Sequence, residues 1–143
     1  MGGVRFLLPL VGCMARTPTT TTSILIVDDD RRLADMLAKV LAAEGHRVDT
    51  ADNGRAALSQ LNRREYDVVI TDVRMPELDG PGLYREMERR FPDLLPRVIF
   101  ITGDSTNPET QRFLSGIGAR VLHKPFDLDD IHRIVREALG RRV

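Results

Sequence analysis

From Ser23 onward, short apolar runs alternate with longer segments whose apolar residues recur every three or four positions. The first pattern marks strands and the second amphipathic helices, and their regular alternation argues for an α/β fold with a parallel sheet wrapped by helices. Strands are predicted at Ile24 to Val27, Arg47 to Thr50, Val68 to Thr71, Val98 to Thr102 and Arg120 to Leu122. Three of these runs are apolar enough to be buried on both faces, as central strands of a parallel sheet are. Between the first two strands, Leu33, Met36, Leu37, Val40 and Leu41 share one face of a helix that Gly45 is placed to end. Further helices are predicted over 53–63, 80–91, 107–117 and 128–139, with Asn107-Pro108 reading as an N-cap followed by proline at the first helical position.

Five βα units in this order suggest a doubly wound sheet, in which ligands bind beyond the carboxyl ends of the strands. The residues just after each strand therefore carry the functional information. No repeat or second domain interrupts the pattern, and no output domain is expected between the fifth helix and Val143. Residues 1–22 differ: an apolar stretch from Phe6 to Val11 precedes Thr17-Pro18 and a threonine run to Thr22, which reads as a low-complexity arm before a domain over 23–143. The apolar stretch is far shorter than the roughly 20 residues that span a bilayer. Leu10-Val11-Gly12-Cys13 resembles a lipoprotein processing site, but its apolar region is short of the roughly 7–15 residues a signal peptide needs. An extension is the preferred reading, with Met14 a second plausible start.

Acidic and basic residues balance at 21 each, so no global field points to nucleic acid or an anionic membrane. The lone Cys13 excludes an internal disulfide and fits a reducing, cytoplasmic setting. Lysine occurs only at 39 and 124, every other basic residue being arginine, which draws attention to Lys124.

Asp28, Asp29 and Asp30 follow the first strand, Asp72 follows the third, Thr102 ends the fourth, and Lys124-Pro125 follows the fifth. Singly, each has an ordinary explanation: an Asp between strand and helix is commonly an N-cap, the role assigned to Asp30. Convergence is what those explanations leave out. Carboxylates gathered at one sheet edge repel each other and stay ionised only beside a cation, and hard oxygen ligands at an open site favour Mg²⁺. A carboxylate can attack phosphorus to give an acyl phosphate, with Asp72 the candidate nucleophile. Lys124 and Thr102 would supply charge and a hydroxyl to the transferring group.

The segments Ile24 to Asp30, Thr71 to Pro76 with Asp79-Gly80, Ile101-Thr102-Gly103 and Lys124-Pro125-Phe126 resemble the signature segments of bacterial response-regulator receiver domains. The resemblance implies a flavodoxin-like five-stranded parallel sheet in the order 2-1-3-4-5 with five helices. It also implies phosphorylation on Asp72, direct Mg²⁺ ligation by Asp29 and Asp72, assistance from Asp28 through water, and a further ligand in the Arg74 carbonyl. Lys124 would contact the phosphoryl group, Thr102 would move toward it on activation, and the Lys124-Pro125 bond would be cis. The implied partners are a histidine kinase or histidine phosphotransfer protein and a downstream protein target, read by the face of the fourth helix, fifth strand and fifth helix. Neither direct nucleic-acid binding, nor membrane insertion, nor turnover of a metabolite is expected, and the sequence leaves the oligomeric state open. Terminal receivers of hybrid kinases are similar as well.

Two departures and two rivals complete the reading, one rival being a degenerate binding module that no longer accepts phosphate, against which the intact Asp28, Asp29, Asp72, Thr102 and Lys124 set argues. Family members often carry an aromatic residue three positions before the lysine, where this chain has Val121, and the Gly118 to Lys124 segment is one residue short of the common spacing. Arg74 and Asp104, two positions beyond Asp72 and Thr102, would flank the site entrance as a possible charged gate, while His123 reads as merely exposed. An aspartate-nucleophile phosphatase of the haloacid-dehalogenase type would use Asp28 and Asp30, but would leave Asp72 and Lys124-Pro125 unexplained.

Overall fold

The computed structural model describes residues 21–103 and 107–140. Five strands form one parallel sheet: β1 (Ser23–Val27), β2 (Arg47–Ala51), β3 (Val68–Asp72), β4 (Val98–Thr102) and β5 (Arg120–His123). Their spatial order is β2-β1-β3-β4-β5, the expected 2-1-3-4-5. The helices between them are α1 (Arg31–Ala43), α2 (Gly54–Arg63), α3 (Gly80–Arg90), α4 (Pro108–Gly116) and α5 (Leu128–Gly140). A 3₁₀ turn over Pro92–Arg97, absent from the sequence-based expectation, links α3 to β4.

Strand alternation divides the core in two. Ile24, Ile26, Val68, Ile70, Ile99 and Ile101 face α1 and α5, where Leu37, Leu41, Ile131 and Val135 meet them. Leu25, Val27, Val69 and Phe100 face the opposite side, with Leu58, Leu83, Met87 and Leu114 of α2, α3 and α4. The three central strands β1, β3 and β4 are buried on both faces nearly throughout, as their unbroken apolar runs predict.

Local chemistry sets the helix ends. Asp30 Oδ1 accepts from the backbone N–H groups of Arg32 and Leu33 at 3.1 and 3.3 Å, the predicted N-cap. Asn107 Oδ1 does the same for Glu109 and Thr110 at 3.0 and 3.1 Å. After α1 the chain reverses at Gly45, whose φ of +97° is costly for any residue with a Cβ. One detail of the α1 stripe differs: Met36 is 39% exposed, because Ala34, Leu37 and Leu41 fill the face against the sheet.

Thr22, assigned to the arm from sequence, accepts a backbone hydrogen bond from Arg47 at 2.8 Å, which continues the β1–β2 pairing by one residue. Residues 1–20 of the arm, including Cys13 and Met14, lie outside the described residues. No helix among the described residues is long and apolar enough to cross a membrane.

Candidate functional site

The carboxyl ends of β1, β3, β4 and β5 meet at one edge of the sheet. Parallel register aligns them, since Val27 pairs with Thr71 and Asp72 pairs with Ile101. Two backbone bonds fix the margins: Val73 donates to the Ile101 carbonyl at 3.1 Å, and Lys124 donates to the Thr102 carbonyl at 2.9 Å. The polar residues beyond these ends are thus placed by the sheet itself.

Asp28, Asp29 and Asp72 each bring a carboxylate oxygen within 4.8 Å of the others. Asp28 is almost wholly buried, at 2% exposure. Its Oδ1 accepts from the Asp30 N–H at 2.8 Å, while its Oδ2 is buried without a hydrogen-bond partner. Burial pushes the Asp28 carboxyl up to about 6; the Asp30 N–H and Lys124 oppose the rise, and the charges of Asp72 and Asp29 add to it. Burial raises Asp72 as well, against the pull of Lys124 and of backbone N–H groups at Val73 and Arg74. A buried carboxylate with one orphaned oxygen, clustered with two more carboxylates, fits a hard divalent cation such as Mg²⁺, which takes oxygen ligands and keeps part of its water.

Lys124 places its Nζ 4.0 Å from Asp72 Oδ2. The Lys124-Pro125 peptide is cis, as the resemblance implied. Thr102, at the end of the fully buried β4, is 4% exposed. A cavity of about 190 Å³ opens beside Asp72, lined by Asp72, Arg74, Thr102, Gly103, Thr110 and Lys124. Neither Asp28 nor Asp29 lines it, and Asp72 belongs both to the acidic cluster and to this cavity with its ammonium and hydroxyl residues. A larger cleft of about 470 Å³ between α3 and the α4–β5 turn is lined mainly by apolar residues such as Leu95, Pro96 and Ile117 and holds no carboxylate or lysine. Volume alone therefore does not locate the chemistry.

The structure brings Asp28, Asp29, Asp72, Thr102 and Lys124 together, as expected from their places after the strands. Arg74 stands at the cavity wall. Asp104, its proposed counterpart in a gate, lies outside the described residues. His123 is exposed, and Asp30 is occupied in capping α1, which removes the second aspartate a dehalogenase-type site would need. Val121 packs, half-buried, against the core layer of α2, α3 and α4. Sequence reasoning did not identify Thr110. It sits in the first turn of a helix with no strand end beside it, and only the docking of α4 carries it to the cavity.

Glycine makes the site's floor possible. A Cβ on Gly80 would lie 2.6 Å from the Asp72 carbonyl oxygen and 3.0 Å from Val73 Cα, so only glycine lets α3 start this close to β3.

The comparisons with known proteins converge. Residues 24–136 match the response regulator receiver domain family. The chain is 35% identical over 116 residues to the Escherichia coli transcriptional regulatory protein GlrR, covering 81% of this chain but 26% of GlrR. It thus spans about a quarter of that relative's length. The response regulator receiver protein CpdR of Brucella abortus is 34% identical over 119 residues, covering 81% of this chain and 95% of CpdR. Among solved structures, the signal receiver domain of a signal transduction histidine kinase from Syntrophus aciditrophicus superposes with a TM-score of 0.76 at 32% identity, covering 85% of this chain and 92% of that one.

Proposed function

The chain belongs to the response regulator receiver domain family, and on that premise we propose that it accepts a phosphoryl group on Asp72 from a phosphohistidine and signals by a shift between two conformations. One observation carries the reading: three carboxylates with oxygens within 4.8 Å of each other at the sheet edge, with the only lysine of the site 4.0 Å from Asp72. Such an arrangement has little use except to hold a cation and a transferable anion against one carboxylate.

Asp72 is the nucleophile. A carboxylate oxygen forms a bond to phosphorus as the P–N bond of the donor breaks, and the departing imidazole keeps that electron pair and takes a proton from solvent. The nearby backbone N–H groups of Val73 and Arg74 and the Lys124 ammonium favour the charged form of this carboxylate against its burial. The Lys124 ammonium meets the negative charge on the phosphoryl oxygens, and the Thr102 hydroxyl donates to one of them. Mg²⁺, held by Asp28, Asp29, Asp72 and the Arg74 carbonyl, would supply the remaining charge neutralisation.

The product is a modified protein rather than a released metabolite, so the chain acts as a switch and not as an enzyme on an external substrate. Its partners in this reading are a cytoplasmic histidine kinase or phosphotransfer protein and a downstream protein target. The balanced charge of 21 acidic and 21 basic residues supports a protein contact rather than direct binding of nucleic acid. The test is intact-mass analysis after incubation with acetyl phosphate and Mg²⁺. The wild type should gain one phosphoryl group, and Asp72→Asn or added EDTA should prevent it. A full adduct on Asp72→Asn would show that the phosphoacceptor lies elsewhere.

A further inference from the structure

Thr110 lines the cavity beside Asp72, together with Thr102, Gly103 and Lys124, although it belongs to the first turn of α4 rather than to a strand end. Phe100 and Thr102, two residues apart on β4, alternate onto the sheet face that α3 and α4 cover. Thr102 from β4 and Thr110 from α4 thus line one cavity. The backbone N–H of Thr110 is already taken by Asn107 Oδ1 at 3.1 Å, and that of Glu109 by the same oxygen at 3.0 Å. What Thr110 offers to the cavity is its side-chain hydroxyl.

We propose that the Thr110 hydroxyl donates a hydrogen bond to the phosphoryl group on Asp72, making α4 a direct part of the phosphoryl-binding site. This rests on the phosphoacceptor reading above. A phosphoryl group carries close to two negative charges on three acceptor oxygens, more hydrogen-bonding capacity than one lysine, one threonine and a cation fill. Thr110 also lines a second groove, of about 310 Å³, with Arg74, Arg85, Asn107 and Phe113, so with Arg74 it borders both openings.

Its position has a mechanical consequence. One helical turn along, Phe113 meets Tyr84 and Phe100 edge-on, with ring centroids 5.8 and 5.7 Å apart, and the Arg85 guanidinium lies 5.4 Å above its ring. Leu114 is the only fully buried residue of α4. A pull on Thr110 is thus transmitted to one aromatic contact on an otherwise lightly anchored helix.

The experiment compares the full-length wild type, Thr110→Val and Thr110→Ser. Beryllofluoride with saturating Mg²⁺ serves as the phosphoryl probe, titrated by ¹⁹F NMR, and the lifetime of phospho-Asp72 is followed by intact mass. Valine keeps the branched shape without the hydroxyl, and serine keeps the hydroxyl. Thr110→Val should bind beryllofluoride on the order of 10-fold more weakly, the effect of one hydrogen bond to a charged group. Thr110→Ser should recover most of that loss, with melting temperature and Mg²⁺ affinity unchanged in both. Wild-type affinity in Thr110→Val, beside a wild type that is itself loaded, overturns the proposal and leaves the phosphoacceptor reading intact. Equal losses in both variants assign Thr110 to packing and overturn it too. A wild type that takes neither beryllofluoride nor a phosphoryl group on Asp72 refutes both readings together.

Discussion

Asp28→Asn should make the metal-free protein more stable at neutral pH, although it removes a residue of the site. In the folded chain the Asp28 carboxyl is raised from 3.8 to about 6, chiefly by burial. Between those two values the native state holds a proton that the unfolded chain has released. Stability of the metal-free protein therefore falls as pH rises from about 4 to about 6, and the loss persists above that window. At about 1.4 kcal/mol per factor of ten in proton affinity, the ceiling on this loss is about 3 kcal/mol. Asparagine removes the charge, keeps an oxygen for the Asp30 N–H that Asp28 Oδ1 now accepts at 2.8 Å, and puts an amide donor in place of the orphaned Oδ2, beside a cluster that holds two further carboxylates. The expected gain is about 1–3 kcal/mol, or roughly 3–10 °C in melting temperature for a domain of this size. Thermal denaturation in EDTA at pH 7.5 and at pH 3.5 provides the assay, and the advantage should shrink toward zero at the lower pH, where both states protonate Asp28. Mg²⁺ should reverse the ranking in part: at 10 mM and a millimolar Kd it would stabilise the wild type by about 1.4 kcal/mol, and the variant by much less. A variant that melts at or below wild type in EDTA at pH 7.5, or that keeps its full advantage at pH 3.5, would refute the reasoning.

Other substitutions probe the frame around the site. Gly80→Ala should cost about 1–3 kcal/mol, because the new methyl group meets the Asp72 carbonyl oxygen at 2.6 Å and the clash falls on backbone; denaturation of a variant as stable as wild type would mean that α3 shifts freely. Glu77 has a φ of +67° in a tight turn where Leu78 donates to the Pro76 carbonyl at 2.8 Å, so Glu77→Gly should stabilise by up to about 1 kcal/mol, checked by the urea midpoint. Asn107→Ala removes the acceptor for two α4 N–H groups and should cost about 1 kcal/mol, with faster amide exchange concentrated in residues 108–111. Uniform exchange across the chain would contradict so local an effect.

Much of this molecule was legible from its chain alone because the signals were local or periodic. The unbroken apolar runs of β1, β3 and β4 declared a buried parallel sheet, and Asp30, Asn107 and Gly45 announced helix ends through backbone hydrogen bonding and φ preference. In a parallel sheet every strand's carboxyl end lies on the same edge, so reading the residue after each strand sufficed to gather Asp28, Asp29, Asp72, Thr102 and Lys124 before any distance was known. Three things depended on tertiary packing. Met36 has the spacing of a core residue yet is exposed, because the sheet selects a narrower face of α1 than periodicity defines. Asp28 differs from Asp29 only by one position, but the strand end buries the first and leaves the second in solvent, and that difference in burial accounts for most of the rise in the Asp28 carboxyl. Thr110 is an ordinary helix residue in sequence; the docking of α4 over β4 alone brings it to Asp72, since contacts between elements distant along the chain are fixed by how faces pack and not by any local preference of the residue.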